Sequence, residues 1–159
     1  MSTIRLHSFR APLNAVVIGA GGGIGGAFAS LLDSCEDVGG LLLCARSERG
    51  PDAARLDLTD EGSIAGAAET ARQRLGEVDL VIVATGVLHE GDSLRPEKTF
   101  RALSGAALAR SFAVNAIGPA LVAKHFLPLL PRDRKAVFAA LSARVGSIAD
   151  NQIGGWYAY

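Results

Sequence analysis

A glycine-rich segment near the start of the chain has the residue types that bind phosphate groups. It runs from Gly19 to Gly25 and joins an apolar run at residues 14–18 to a helix predicted at residues 25–32. Glycine permits a tight turn and lets backbone N–H groups approach a pyrophosphate, and the N-terminus of a helix attracts anions. Two spacings fit, one built on Gly21, Gly23 and Gly26 and the other on Gly19, Gly23 and Gly25. The segment predicts a dinucleotide site, against the alternative of a glycine turn without a ligand.

The residues after the next apolar run favour one nicotinamide cofactor over the other. An NAD site usually has a carboxylate about 20 residues beyond the glycines, where it binds the ribose 2′-hydroxyl. Here the strand predicted at residues 41–45 is followed by Arg46 and Ser47, without an acid. The planar fork of an arginine suits a 2′-phosphate. We expect NADP, with NAD as the alternative if Arg46 is only a solvated loop residue.

Asp57 is a second candidate for contact with the nucleotide. It follows a weak third strand predicted at residues 53–56, and its carboxylate could accept a hydrogen bond from the adenine amino group. The alternative is a turn or cap residue before the helix predicted at residues 61–75, because aspartate is favoured at such positions.

Several motifs resemble, in order and spacing, those of the short-chain dehydrogenase/reductase family, most closely its C-factor-like branch. They are the glycine motif, Asp57-Leu58-Thr59, Val83-Ala84-Thr85-Gly86, Val114-Asn115-Ala116-Ile117-Gly118 and the run from Gly146 to Tyr159. The third stands where the family has Asn-Asn-Ala-Gly, and only Gly86 matches there. The resemblance covers residues 14–159. It implies cofactor contacts from Gly19, Gly21, Gly23, Ile24, Gly25, Arg46, Asp57, Leu58, Ala84 and Gly86.

The same resemblance implies a catalytic set for hydride transfer between NADP(H) and a small carbonyl or alcohol substrate. Tyr159 stands where the family's tyrosine gives a proton to the substrate carbonyl, and Tyr157 is the competing candidate. Asn115 stands where the family's asparagine keeps a proton-relay water in place. Without the family, both tyrosines read as packing residues and Asn115 as a polar helix residue bonded to neighbouring backbone.

The serine that binds the carbonyl oxygen departs from the family's pattern. In the family it lies three residues before a glycine, and counting back from Gly146 gives Ala143. Ser142 is one residue away and Ser147 follows the glycine. Counted from the preceding strand, Ser142 fits if the loop carries one extra residue, so we choose Ser142.

The family's tyrosine is followed four positions later by a lysine, and this chain ends at Tyr159. The resemblance then implies that the C-terminal third is missing, including two strands, the substrate loop and a helix used in the family's homo-oligomers. We expect a truncated chain that is inactive as it stands. The alternative function is a non-catalytic dinucleotide-binding or signalling protein of the C-factor type.

The elements that must position these residues alternate between strand and helix. Strands are predicted at residues 14–18, 41–45, 53–56, 78–84 and 136–141, and helices at residues 25–32, 61–75 and 104–126. Pro119 is expected to kink the last helix and Pro128 to end it. This alternation predicts a Rossmann-like α/β fold, a doubly wound parallel sheet in three layers. The family resemblance implies that the sheet is incomplete at its C-terminal edge.

Composition excludes several other classes of protein. The chain has 159 residues, 49% of them hydrophobic, and 16 basic residues balance 16 acidic ones. These values predict a single folded domain at residues 14–159, with residues 1–13 as a loose polar lead-in. The balanced charge indicates no nucleic-acid partner, and no apolar run suits a membrane span. The two cysteines and three histidines follow no metal-site spacing, so we expect no metal and a cytoplasmic protein.

Overall fold

The computed structural model describes residues 5–47, 50, 53–91, 93–147, 149, 150, 152 and 154–159. Five parallel strands form one sheet in the order β3-β2-β1-β4-β5. The strands are Leu13–Ile18 (β1), Val38–Ala45 (β2), Ala53–Arg55 (β3), Leu80–Val83 (β4) and Val137–Ala140 (β5). The chain order reverses at β1, whose neighbours are β2 on one side and β4 on the other. This is the predicted doubly wound sheet.

Helices cover both faces of the sheet. They are Gly23–Asp33 (α1), Glu61–Leu75 (α2), Gly105–Phe112 (α3) and Gly118–Phe126 (α4). One core joins the sheet to α2 and α4 through Ile64, Val122 and Phe126, and the other joins it to α1 through Leu32. Two cores on opposite faces confirm the three-layer arrangement. Among the described residues, β3 and β5 form the two edges of the sheet.

The second strand is longer than predicted because two glycines lie inside it. We expected Gly39 and Gly40 to break the chain before a strand at residues 41–45, but β2 begins at Val38. A Cβ atom at Gly39 would come within 2.7 Å of Pro12, and one at Gly40 within 2.7 Å of Asn14. The glycines allow close contact with the chain around the start of β1, where the pairing register shifts.

The helix predicted at residues 104–126 is interrupted, as Pro119 suggested, but the irregularity lies before the proline. Residues Ala113–Ile117 form a π-helical turn between α3 and α4. A proline lacks the N–H that would reach the carbonyl four residues earlier, which here belongs to Asn115. A widened turn accommodates this loss. A short 3₁₀ turn at Leu127–Leu129 then ends the helix at Pro128, as predicted.

The helical stretch Gly105–Leu129 is long and apolar enough to cross a membrane by length and composition. That property is weak evidence, because core helices of folded domains share it. Here Val122 and Phe126 are fully buried against the sheet, and Lys124 donates to Glu61 of α2 at 2.7 Å. These contacts place the stretch in the folded unit.

Residues 5–12, which we expected to be loose, contact the domain. Leu6 and Phe9 pack against the core on the α1 face. Arg5 pairs with Glu36 and Asp37, and Lys135 lies 4.9 Å from the centre of the Phe9 ring. The difference arises because Leu6 and Phe9 are apolar side chains that pack against the core on this face of the sheet.

Candidate functional site

A cavity of about 480 Å³ opens at the carboxyl ends of the central strands. Its walls come from the segments that follow β1, β2, β3 and β4, and from one side of α3. In an open parallel sheet, ligands bind at this edge, where the chain order reverses. Seven predicted cofactor residues line it: Gly19, Gly21, Arg46, Asp57, Leu58, Ala84 and Gly86. The other three, Gly23, Ile24 and Gly25, belong to the first turn of α1.

The glycines of the loop serve different purposes. Gly19 has a positive φ of 89°, and a Cβ there would lie 2.7 Å from the Ala84 carbonyl oxygen. A Cβ at Gly25 would lie 2.1 Å from the carbonyl oxygen of Gly19. A Cβ at Gly23, the first residue of α1, would meet nothing within 4 Å. The spacing built on Gly19, Gly23 and Gly25 therefore has two glycines that the fold requires and one that leaves open space at a helix N-terminus. Open space at a helix N-terminus is where proteins bind phosphate groups.

Arg46 follows the last residue of β2, and its exposed side chain lines the cavity. Among the described residues it makes no hydrogen bond or ion pair, so its guanidinium is available to bind a ligand. Hydrogen bonds from Thr59 to Asp57 and from Arg110 to Glu90 are the main causes that lower the pKa values of these two acids, and the charge of Arg46 adds a smaller effect to both. Arg46 and these two acids therefore share one end of the cavity.

Asp57 holds a turn as well as lining the cavity. Its Oδ1 accepts hydrogen bonds from the Thr59 backbone N–H at 2.9 Å and the Thr59 hydroxyl at 2.7 Å. These bonds are the main reason that the pKa of Asp57 is lowered. The cap of α2 is the next acid, Asp60, whose carboxylate accepts from the backbone N–H of Ser63 at 3.2 Å. Asp57 therefore fits both interpretations of the sequence. It forms a turn, and it also lines the cavity.

Asn115 lies in the π-helical turn and binds the segment after β4. Its Oδ1 accepts from the Val87 backbone N–H at 2.7 Å, and its Nδ2 donates to the Val87 carbonyl at 2.7 Å and to the Ser111 hydroxyl at 3.1 Å. Val87 lines the cavity, but Asn115 does not. Through these bonds Asn115 fixes the cavity wall at residues 84–87.

Two charged cavity residues were missed from the sequence. Arg110 of α3 donates to both carboxylate oxygens of Glu90, at 2.9 and 2.7 Å. Arg110 is four residues before Val114, which also lines the cavity, so helical spacing places both on one face. That spacing was the available signal for Arg110. Glu90 stands in an irregular loop and had none.

Ser142 and Tyr159 do not line this cavity. Ser142 is exposed and lies two residues beyond β5, whose last residue Ala140 pairs with Val83. It thus lies beyond the carboxyl ends of the strands, as Ala84 and Gly86 do. Tyr159 contacts the Trp156 ring edge-on, with 6.2 Å between ring centres.

Tyr157, the competitor of Tyr159, is engaged elsewhere. Its ring stacks on Phe100 with ring centres 4.3 Å apart. Residues 148, 151 and 153 of the terminal motif, and residues 1–4 of the lead-in, lie outside the described residues.

No three His, Cys, Asp or Glu side chains gather as a metal site in the part of the chain that the structure describes. Cys44 is buried in β2, and burial raises the pKa of its thiol to about 12. It stays protonated and packs as an apolar residue.

Comparison with known proteins bears on this arrangement. The family model described as enoyl-(acyl carrier protein) reductase matches residues 37–158. A short-chain dehydrogenase/reductase from Burkholderia multivorans with bound NADP is 25% identical, with a TM-score of 0.75 over 92% of this chain and 65% of that one. For an NADPH-bound carbonyl reductase from chicken fatty liver the values are 23%, 0.73, 92% and 63%.

A third structure, described as the carbonyl reductase Sniffer of Caenorhabditis elegans, is 24% identical, with a TM-score of 0.77 over 91% of this chain and 68% of that one. The chain spans just under two thirds of the length of the first two structures. No curated protein matches it. The family match covers most of the chain, and the sheet order and the cavity agree with it. The chain belongs to the short-chain dehydrogenase/reductase family.

Proposed function

We propose that this chain is the cofactor-binding part of an NADP-dependent oxidoreductase that acts on a small carbonyl or alcohol substrate. The observation that carries the proposal is the cavity, because one space brings together the glycine loop, Arg46, Asp57 and the segment at residues 84–87. The NADP and NADPH bound by two of the similar structures support the choice of cofactor.

Each part of the cavity has a role in holding the nucleotide. The backbone N–H groups at the start of α1 and the loop Gly19–Gly22 would bind the pyrophosphate. Arg46 would bind the 2′-phosphate through its planar fork, and the Asp57-Leu58 segment would hold the adenine. Ala84 and Gly86 would support the ribose, with their segment fixed by Asn115.

The reaction is proposed from the catalytic residues that the family resemblance implies. When bound, the nicotinamide supplies or accepts the hydride. Ser142 would hydrogen-bond the carbonyl oxygen of the substrate, and Tyr159 would donate the proton to that oxygen. We favour Tyr159 over Tyr157 because the Tyr157 ring is stacked on Phe100. Asn115 would keep a proton-relay water beside the tyrosine.

The choice of cofactor is tested first, by measuring binding. Titration of NADPH and NADH should show tighter binding of NADPH, and Arg46→Ala should weaken NADPH by about tenfold or more while NADH changes little. Arg55→Ala removes an arginine that does not line the cavity and serves as the control. Tighter binding of NADH by the unaltered chain would contradict the choice of NADP.

Carbonyl reduction is then assayed as NADPH oxidation with a panel of aldehydes and ketones. A rate that is lost in Tyr159→Phe and kept in Tyr157→Phe supports the proposed reaction. NADPH binding without any reduction matches the inactive chain that the sequence predicts, and it equally matches the alternative, a dinucleotide-binding protein without turnover. We further propose a cytoplasmic protein that forms homo-oligomers.

A further inference from the structure

Glu97 is a buried acid outside the cavity, and the function proposed above does not use it. It lies in the loop between β4 and α3 and is only 4% exposed. Glutamate is almost never fully buried unless its charge is paired or hydrogen-bonded. Among the described residues no lysine or arginine pairs with Glu97, and its Oε1 is buried without a hydrogen-bond partner. The burial of this carboxylate therefore needs an explanation.

The partner of Glu97 is the segment that ends at Tyr159. Its Oε2 accepts from the Ala158 backbone N–H at 3.3 Å, and its main-chain carbonyl accepts from the Trp156 N–H at 2.7 Å. Glu97 thus binds the backbone of this segment twice, on either side of Tyr157. Ala158, whose N–H donates to the Glu97 carboxylate, directly precedes Tyr159.

The segment is shaped to approach Glu97. Gly155 has a φ of 80°, and a Cβ there would lie 2.8 Å from the Glu97 carbonyl oxygen. Trp156 has a φ of 57°, a left-handed conformation that bulky residues rarely adopt. A backbone held in such a conformation persists only where surrounding contacts fix it. The two hydrogen bonds to Glu97 are contacts of that kind.

We propose that Glu97 is a positioning residue for Tyr159, acting through the hydrogen bond that its carboxylate accepts from the Ala158 N–H. This inference rests on the proposed function for the role of Tyr159. The stacking of Tyr157 on Phe100 holds the same segment by a side-chain contact. Glu97 acts on the backbone instead, so the effects of the two contacts can be separated by substitution.

The chain offers a direct measurement because it has only two tyrosines. Fluorotyrosine labelling gives two ¹⁹F NMR signals, and Tyr157→Phe assigns the signal of Tyr159. Glu97→Ala should move the Tyr159 signal to the position of the unfolded chain, while Glu97→Gln, which keeps an acceptor, should retain it. Phe100→Ala should move the Tyr157 signal and leave that of Tyr159. Glu69→Ala, which removes an exposed carboxylate on α2, is the control.

The single tryptophan gives an independent measurement. Trp156 is 40% exposed. In Glu97→Ala its quenching by acrylamide should rise by up to about 2.5-fold, the ratio of full exposure to 40%, if the segment detaches locally. The far-UV spectrum should not change.

If Glu97→Ala does not fold, Glu97→Asp takes its place. Its carboxylate is one methylene shorter and withdraws from the Ala158 N–H, so the Tyr159 signal should shift. A Tyr159 signal that stays in place in a folded Glu97→Ala or Glu97→Asp variant would overturn the inference, as would a shift confined to Tyr157. A chain that binds no NADPH would overturn the proposed function alone, because the fluorine signals do not depend on the cofactor.

Discussion

At the scale of single residues, the glycine loop separates two requirements that sequence motifs combine. Gly19 and Gly25 are needed by the fold itself, because a Cβ at either would overlap backbone atoms. Gly23 faces open space, so the fold places no steric demand on it. Because Gly23 also lies at the N-terminus of α1, next to the glycine loop, we attribute its lack of a side chain to the approach of a ligand to the backbone. The three glycines should therefore respond differently to substitution.

Gly23→Val should abolish or strongly weaken NADPH binding while the protein keeps its fold, because its side chain would occupy only the space of the ligand. Gly25→Val should instead unfold the chain or shift its far-UV spectrum. Gly66→Val is the matched control, since a Cβ at Gly66 of α2 also meets nothing within 4 Å. Binding is measured by isothermal titration and folding by circular dichroism. Unchanged NADPH affinity in a folded Gly23→Val variant would show that phosphate binds elsewhere.

At the scale of elements, the widened turn between α3 and α4 connects the helix to the cavity. Asn115 satisfies both main-chain groups of Val87 from this turn. A Cβ at Gly118, one residue beyond the turn, would lie 2.7 Å from the Leu58 Cβ, so the helix also packs closely on the Asp57 loop. One irregular turn thus braces two walls of the cavity.

Asn115→Leu should destabilise the protein by about 2 kcal/mol, because it leaves the part-buried N–H and C=O of Val87 without their partner. Asn115→Asp keeps the acceptor and loses the donor, so we expect an intermediate loss. Urea unfolding followed by circular dichroism gives these values, with Gln73→Ala on the exposed side of α2 as the control. Equal stability of Asn115→Leu and the unaltered chain would show that the Val87 contacts do not support the fold.

The contact between α2 and α4 should depend on pH. Hydrogen bonds from Lys124 and then His125 hold the pKa of Glu61 below its usual value. A lowered carboxyl pKa adds stability above the unfolded value of about 4.3, and this is lost as the pH falls through the folded value. Thermal unfolding of Glu61→Gln should therefore begin below that of the unaltered chain at neutral pH and converge with it in acid. Asp33→Asn, at an exposed acid of α1, should not reproduce this convergence. Parallel curves at all pH values would contradict it.

The sequence predicted the strands and helices well where apolar residues form continuous or periodic runs, as in β4 and α2. It failed at Gly39 and Gly40, because the need for glycine there comes from Pro12 and Asn14, which lie far away in sequence. That seven of the proposed cofactor residues line one cavity was predictable, since they follow directly after strands. Glu97 was not, because its burial depends on a contact with Ala158, 61 residues later.

At the scale of the whole molecule, the helical stretch Gly105–Leu129 keeps apolar side chains exposed. Phe112, Ile117 and Leu127 are about half exposed. The strand β5 forms an edge of the sheet among the described residues, and its side chains are only partly buried. Exposed apolar patches and open strand edges both promote association between chains.

We therefore expect the 159-residue chain to associate in solution. Multi-angle light scattering should give a mass above that of a monomer, 16.4 kDa. The double substitution Phe112→Lys and Ile117→Lys should shift the mass towards the monomer, because it places charge on the exposed patch. The control, Ile24→Lys, removes an exposed apolar side chain on α1. A monomer at all concentrations, or equal effects of both variants, would exclude association through this stretch.

The π-helical turn also sets the rotational phase between the two halves of the helix. A regular α-helix advances about 100° per residue, so removing one residue from the turn would rotate α3 relative to α4 by about that angle. With α4 held in the core by Val122 and Phe126, the rotation would carry Arg110 away from Glu90. The extra residue of the turn thus sets the rotation between α3 and α4, so that α4 packs in the core while α3 lines the cavity.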